Sequence, residues 1–286
     1  MSRIVITDCD HPSIELEQGI FRGAGHDVVL AQYAPITGAV MAALPDFRVV
    51  GRHGVSLDNI ELPAAAAHGI RVVNVPDYCI DEVADHAIAP MLGLTRCIMG
   101  LDRAIHAGTC DFRGGGELRR ASGMRLGVIG LGRIGAATAR RALALRYEVV
   151  PTDPREPHVV GIPLVSLDEL LETSDIVSVH AWLDPSTRHL LDAAALARMR
   201  PGAFLVNTSR GGLIDQGALV AALRSGHLGG AALDVLEREP MGLDDPLLSL
   251  PNVILTPHTA FYSRESLVEM KTRVAKGIVA AIAAAR

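Results

Sequence analysis

The sequence predicts an α/β protein: a doubly wound parallel sheet with a second, smaller α/β domain. Three observations predict it. Short apolar runs alternate along the chain with segments of helical spacing, the pattern of strands joined by crossover helices. Near the middle, one such run passes through a glycine turn into an Ala-rich helix. Beyond it, polar residues recur just after strand ends, where open α/β sheets place their ligands.

Composition narrows the class. The 286 residues are 49% hydrophobic and 21% charged, enough for a sizeable core. Aromatics are only 3%, so Ala, Val, Leu and Ile must build that core. A net charge of −5 gives no basic surface for nucleic acid or an anionic membrane. No run approaches the ~20 apolar residues of a membrane span. The N-terminus lacks a signal-peptide pattern. Cys9, Cys79, Cys97 and Cys110 are dispersed, without C-x-x-C spacing. They argue against a metal site or a disulfide framework and for reduced thiols in the cytoplasm.

Taken in order, residues 3–7 read as a strand, 13–23 as a helix ending before Gly25, and 27–31 as a second strand. A helix over 36–44 and strands over 47–51 and 71–74 follow, with a short helix from Leu62 to His68 closed by Gly69. Right-handed crossovers are expected between these parallel strands. Asp81 opens one long helix with an apolar stripe to Ile105. Residues 108–116 are loop. Leu126 to Ile129 is a buried strand, 134–145 a helix and 147–150 the next strand. Pro151, Pro154 and Pro157 then interrupt regular structure. Ser166 and Glu169 form a capping box for a helix over 167–173. Strand 176–180 follows, then a helix from Asp192 to Met199 and strand 203–207. Asp215 caps a helix that stops at Gly226. Strands 231–233 and 253–255 and a helix from Ser263 complete the chain. The domains expected are 1–99, completed by 260–286, and 100–259.

The segment RLGVIGLGRIGAATARRALALRYEVVPTD carries the first function. Gly130, Gly132 and Gly135 fit G-x-G-x-x-G, and Asp153 follows the next strand near the ~20-residue spacing of a dinucleotide-binding βαβ unit. Gly130 allows the tight turn, Gly132 admits a pyrophosphate, and Gly135 lets helix and strand pack closely. Arg133 and Ile134 begin the helix, whose free N–H groups and dipole attract phosphate. Asp153 accepts from a ribose hydroxyl and repels a 2′-phosphate. The unit is a Rossmann fold for NAD rather than NADP.

Three groups follow later strand ends: Arg210 in VNTSRGG, Glu239 in DVLEREP and His258 in LTPHTA. Singly, each fits a surface or loop residue better than a catalyst. Together they suit hydride transfer between NAD and a 2-hydroxy or 2-keto acid. Arg grips a carboxylate through paired hydrogen bonds. His exchanges a proton, and a Glu on its other nitrogen sets the tautomer and favours the charged form.

At this point the chain resembles the D-isomer-specific 2-hydroxyacid dehydrogenase family. GRHGVSLDNIEL, NVPDYCIDEVADHA, GLGRIG, SDIVSVHAWLDPSTRHLL, MRPGAFLVNTSRGGLID, AALDVLEREP and TPHTAFYS carry the resemblance, in the family's order across almost the whole chain. NVPDYC and TPHTAFYS are most similar to the branch of C-terminal-binding-protein-like and phosphoglycerate dehydrogenases. The resemblance implies Arg210, Glu239 and His258 as the catalytic set. It implies that Asp234 meets the nicotinamide amide, that Thr208 lies along the cofactor, and that His180 lines it. It places Arg52 and the backbone of His53, Gly54 and Val55 at the substrate carboxylate. Tyr78 either reaches the site or packs at the domain boundary, and Phe261 either closes the pocket or packs in the core. The side chains of His53 and His86 are structural, and Cys79 is an apolar filler. A flavodoxin-like small domain and a homodimer joined through the cofactor domains are also implied. Two other functions remain open: an NAD-sensing binding protein of the corepressor type, and a formate or phosphite dehydrogenase.

The chain departs from the family pattern twice. Ser56 stands where a glycine is usual, and a positive φ there would strain it. One helix and one strand of the small domain are also missing between VVLA and QYAP. Losing an internal strand would leave a gap in a close-packed core. The expectation is therefore that a segment has been omitted between Ala31 and Gln32.

Overall fold

The computed structural model describes residues 4–6, 8, 13–21, 28–44, 47–155 and 161–284. Cys9, Gly25 and Pro157 lie outside them. The chain divides into two compact units, Met1–Cys79 with Tyr262–Arg286, and Ile80–Phe261.

In the first unit, β1 (Ile4–Ile6), β2 (Val28–Ala31), β3 (Val49–Arg52) and β4 (Arg71–Val73) form one parallel sheet in sequential order. Its helices are α1 (Glu15–Phe21), α2 (Gly38–Ala42), α3 (Leu62–Ala67) and the terminal α10 (Arg264–Ala283). Thr37 and Ser263 cap α2 and α10, the latter in a reciprocal capping box with Ser266.

Two layers cover this sheet. On one face Val50 packs with Ala31, Met41, Ile60 and Ala65. On the other, neighbouring Gly51 has no room for a Cβ against Ile278 of α10. Helix α1 contacts α10, and its buried Glu17 lies 3.5 Å from Lys271 and 3.4 Å from His53. So α1 lies opposite α2 and α3, although all four strands are added in one direction. The first crossover therefore has the opposite hand from the next two, against the uniform right-handedness expected.

The chain runs from Ala31 directly into Gln32, and the N–H groups of Gln32 and Ala34 donate to Asp8, each at 3.0 Å. Strand β2 lies between β1 and β3. The resulting order is sequential, unlike the 2-1-3-4-5 order of a flavodoxin-like sheet.

The second unit holds six parallel strands, β5 (Arg125–Ile129), β6 (Glu148–Thr152), β7 (Ile176–Val179), β8 (Ala203–Asn207), β9 (Leu228–Leu233) and β10 (Val253–Leu255). Their order is β10-β9-β8-β7-β5-β6. The chain moves outward from β5 to β6 and then returns to β7, so the topological switch point lies between β5 and β7. Both faces are buried. Ile176 and Val206 face Met91 and Ala139, while Val177 and Leu205 face Leu170, Leu196 and Leu219. Helix α4 (Ile80–Thr95) and α6 (Arg133–Ala144) cover the first face. Helices α7 (Leu167–Thr173), α8 (Ala193–Arg198) and α9 (Gln216–Arg224) supply the second.

The single helix expected from Asp81 to Ile105 is two helices. Cys97 takes a left-handed conformation (φ 51) that ends α4 and starts α5 (Ile98–His106). The unit boundary correspondingly falls at Cys79/Ile80 rather than at residues 99/100, because α4 packs on α6, β8 and β9.

Candidate active site

The glycine turn joins β5 to α6. Gly130 has φ +91, and a Cβ there would sit 2.7 Å from the His180 carbonyl oxygen. Gly135 has no space for a Cβ beside the Gly130 carbonyl, so the helix packs directly on the strand. Gly132 caps α6 and faces open space, with nothing within 4 Å of its would-be Cβ. Arg133 and Ile134 are the first two residues of α6, and their N–H groups belong to the unsatisfied helix start.

Asp153 follows β6 and is buried. One oxygen accepts the Leu131 N–H at 2.7 Å, and the other the Arg155 N–H at 2.9 Å. Burial opposes its ionisation, but these backbone bonds and the Arg155 guanidinium outweigh it and hold the carboxyl below its ordinary range. The acid thus fastens the glycine turn, a role that its spacing alone did not reveal.

His180 and Thr208 follow β7 and β8. The Nε2 of His180 bonds to the Ser178 hydroxyl at 2.9 Å, and burial pushes its pKa down to about 4. Its Nδ1 is buried without a hydrogen-bond partner, as is the Thr208 hydroxyl. Unmet polar atoms of this kind are costly unless a ligand meets them. With the open cradle at Gly132, they fit a bound dinucleotide.

Arg210, Glu239 and His258 belong to three loops of this same unit. Asn207, at the end of β8, braces the first loop: its amide donates to the Arg210 carbonyl at 2.9 Å and its oxygen accepts the Ser209 N–H at 3.0 Å. The Arg210 guanidinium donates to the Ser209 carbonyl at 2.7 Å. Glu239 accepts the Leu236 N–H at 2.8 Å through Oε1 and bonds His258 Nδ1 at 2.7 Å through Oε2. Burial opposes ionisation of Glu239, yet the His258 bond, the Leu236 N–H and the Arg210 charge together keep its pKa below the usual value.

His258 sits at φ 51, a strained conformation for a non-glycine residue. The strain is held by Asp234. The Asp234 carbonyl accepts the His258 N–H at 2.8 Å. Its carboxylate accepts the Thr256 hydroxyl at 2.6 Å and the N–H groups of Thr259 and Ala260, each at 2.9 Å. The Nε2 of His86 lies 3.0 Å from the Thr256 hydroxyl and 3.5 Å from Asp234. Sequence reasoning gave Asp234 to the cofactor and missed this bracing. The signal was the turn itself, whose successive N–H groups need a buried acceptor.

The first unit gathers the residues expected at the substrate carboxylate. Arg52 ends β3, and the His53 N–H donates to the Ala31 carbonyl at 2.9 Å. Gly54 (φ +139) leaves no room for a Cβ beside the Arg52 guanidinium. The Asn74 amide holds the Val55 carbonyl at 2.6 Å. Tyr78 is buried; burial, with Cys79 beside it, pushes its phenol far above the ordinary range, and Arg52 opposes that rise. Ser56 is not among the residues with positive φ, so it carries no strain of that kind. Phe261 closes the second unit, three residues after His258.

Residues 88–260 match the family model described as D-isomer specific 2-hydroxyacid dehydrogenase, NAD binding domain. A D-3-phosphoglycerate dehydrogenase of Archaeoglobus fulgidus is 38% identical over 88% of this chain and 48% of its own length. A glyoxylate reductase of Korarchaeum cryptofilum is 39% identical over 86% of this chain and 76% of its own. The chain thus spans about half the length of the first relative and about three-quarters of the second. Among solved structures, D-lactate dehydrogenase from Aquifex aeolicus, complexed with NAD and lactic acid, superposes with a TM-score of 0.90 at 25% identity, covering 96% of this chain and 94% of that one. The chain belongs to the D-isomer specific 2-hydroxyacid dehydrogenase family, and its second unit carries that family's NAD-binding domain.

Proposed function

We propose that the protein is an NAD-dependent oxidoreductase that interconverts a small D-2-hydroxy acid and its 2-keto acid. The observation that carries the proposal is the 2.7 Å bond between His258 Nδ1 and Glu239, with the Arg210 charge acting on the same carboxylate. Glu239 fixes the proton on Nδ1 and leaves Nε2 as the atom that exchanges a proton with substrate. When bound, the nicotinamide supplies or takes the hydride. Arg210 holds the substrate carboxylate and polarises the carbonyl. In the reductive direction His258 gives its Nε2 proton to the carbonyl oxygen. Arg52 and the backbone over 53–55 also bind the substrate carboxylate, with Tyr78 beside Arg52 and Phe261 following His258. His180, Thr208 and Asp234 lie along the cofactor, and Asp153 faces its ribose.

The bonded Glu239–His258 pair supports turnover over a sensing role and over formate-type chemistry, which needs no general acid. Among the described residues Cys79, Cys97 and Cys110 form no disulfide, which supports a cytoplasmic setting. No helix among the described residues is long and apolar enough to cross a membrane, and no three or more of their His, Cys, Asp and Glu residues are grouped as metal ligands. Exposed Ile98, Ile105 and Phe112 on and after α5 support a homodimer through the second unit. The test is NADH oxidation at 340 nm with glyoxylate and hydroxypyruvate. Binding of NADH without turnover on any small 2-keto acid would refute the proposal.

A further inference from the structure

Three ionisable side chains meet inside the first unit, and none of them takes part in the proposed chemistry. They belong to Glu17 of α1, Lys271 of α10 and His53, the residue after β3. Lys271 Nζ and His53 Nε2 lie 3.5 and 3.4 Å from the same oxygen of Glu17, Oε1. The Glu17 and His53 side chains are fully buried, and that of Lys271 nearly so. Lys271 also donates to the Ser13 carbonyl, just before α1. Burying an ion pair is costly, and apolar side chains of similar volume often stabilise a fold as well or better. Stability alone is therefore a weak reason for these residues to stand here.

His53 is where the cluster meets the loop assigned to the substrate carboxylate. The residue is gripped twice. Its N–H donates to the Ala31 carbonyl at 2.9 Å, and its imidazole reaches Glu17. With both ends held, its torsions are fixed, and they aim the next peptide group, which carries the Gly54 N–H. The Gly54 carbonyl accepts the Val75 N–H at 3.2 Å. In a trans peptide the N–H points away from the carbonyl, so this bond turns the Val55 N–H away from Val75. The Val55 carbonyl is spent on the Asn74 amide at 2.6 Å. Gly54 has no side chain of its own to anchor and sits at φ +139, so the loop takes its side-chain anchor from His53.

We propose that Glu17, with Lys271, is a positioning residue for substrate: it clamps the His53 side chain and thereby aims the N–H groups of Gly54 and Val55 at the substrate carboxylate. The inference rests on the assignment of residues 52–55 to that carboxylate and adds the buried group that sets their aim. The clamp acts on bound substrate and transition state alike, so its loss appears in KM rather than in kcat.

The experiment removes both charges together, because deleting one partner strands the other in the interior. The variant carrying Glu17→Leu and Lys271→Met is expected to keep a cooperative urea transition. Its KM for glyoxylate or hydroxypyruvate should rise by about 10-fold, the loss of one hydrogen bond to a charged group. Its kcat and its NADH affinity, measured by calorimetry, should stay nearly unchanged. His53→Ala cuts the same clamp from the other side and should raise KM by a similar factor. Adding it to the Glu17/Lys271 variant should raise KM no further, since residues of one network are not additive. Wild-type KM in the folded Glu17/Lys271 variant would overturn the proposal, and so would wild-type KM in His53→Ala, which covers the case of a Glu17/Lys271 variant that does not fold. Increases in KM that multiply when the changes are combined would overturn it as well. Absence of turnover in the unaltered protein with every small 2-keto acid would instead overturn the function on which the inference rests.

Discussion

Gly211 and Leu236 interlock. A Cβ on Gly211 would overlap the Leu236 carbonyl group, and Leu236 also donates its N–H to Glu239 at 2.8 Å. One backbone contact therefore sets the Arg210 loop against the Glu239 loop. Gly211→Ala should cost about 1–3 kcal/mol of stability through overpacking. In the folded fraction it should lower kcat/KM by about 10²-fold, since small displacements of catalytic groups carry penalties of that size. Urea unfolding and steady-state kinetics measure the two effects. A variant with wild-type kcat/KM would show that the contact does not set the geometry.

In the proposed mechanism His258 is the proton donor and grips no part of the cofactor. His258→Ala should lower kcat by ~10²–10⁴ and leave NADH affinity nearly unchanged. Arg210→Ala should raise KM and lower kcat together, because the proposed mechanism has it act on bound substrate and on the transition state. If keto-acid reduction survives intact in His258→Ala, another group is the acid.

The proposed function assigns cofactor choice to Asp153. Its ionised carboxylate disfavours a 2′-phosphate nearby, so NAD should be used with a much higher kcat/KM than NADP. Arg155, whose Nε lies 3.4 Å from that carboxylate, works in the opposite direction. Asp153→Ala should narrow the preference. It should also slow turnover with both cofactors, because the turn loses its bond to the Leu131 N–H. Comparable kcat/KM for NAD and NADP in the unaltered protein would contradict the argument.

His180 makes stability depend on pH. Its folded pKa of about 4 lies below the ~6.5 of an exposed histidine. Above pH 6.5 the ring is neutral in both states and the fold is not penalised. As pH falls through that window the unfolded chain takes up a proton that the fold refuses. Stability drops, by up to about 3 kcal/mol near pH 4. Urea midpoints of the wild type and His180→Gln, compared between pH 7 and 4.5, isolate this share from that of the carboxylates. A wild-type-minus-variant difference that does not move with pH would rule it out.

Much of this architecture is legible in local sequence. Ser166 caps α7 through the Glu169 N–H at 3.1 Å, and Asp192 and Asp215 cap α8 and α9. Such signals depend on residues only three apart. The glycine spacing was equally readable, because Gly130 and Gly135 each answer to a contact made within the same βαβ unit. What escaped depends on distant partners. Cys97 breaks a helix without the proline or glycine that normally announces a break. The carboxylate of Asp234 serves a turn more than twenty residues on, and no periodicity records that debt. The order of β1 to β4 is a property of the whole sheet, so the strands could be found and their arrangement could not.

The reversed first crossover marks Ala31–Gln32 as a point of topological exchange. Strand β2 sits inside the sheet, between β1 and β3. A helix and strand inserted at that junction would take the inner place and push β2 to the far side of β1. Helix α1 would keep its layer beside α10, yet the direction from β1 to β2 would flip, and with it the hand of the crossover. All the connections would then agree, and the order would become 2-1-3-4-5. Two sheet topologies are thus separated by one insertion site, with the helices of both layers left where they are.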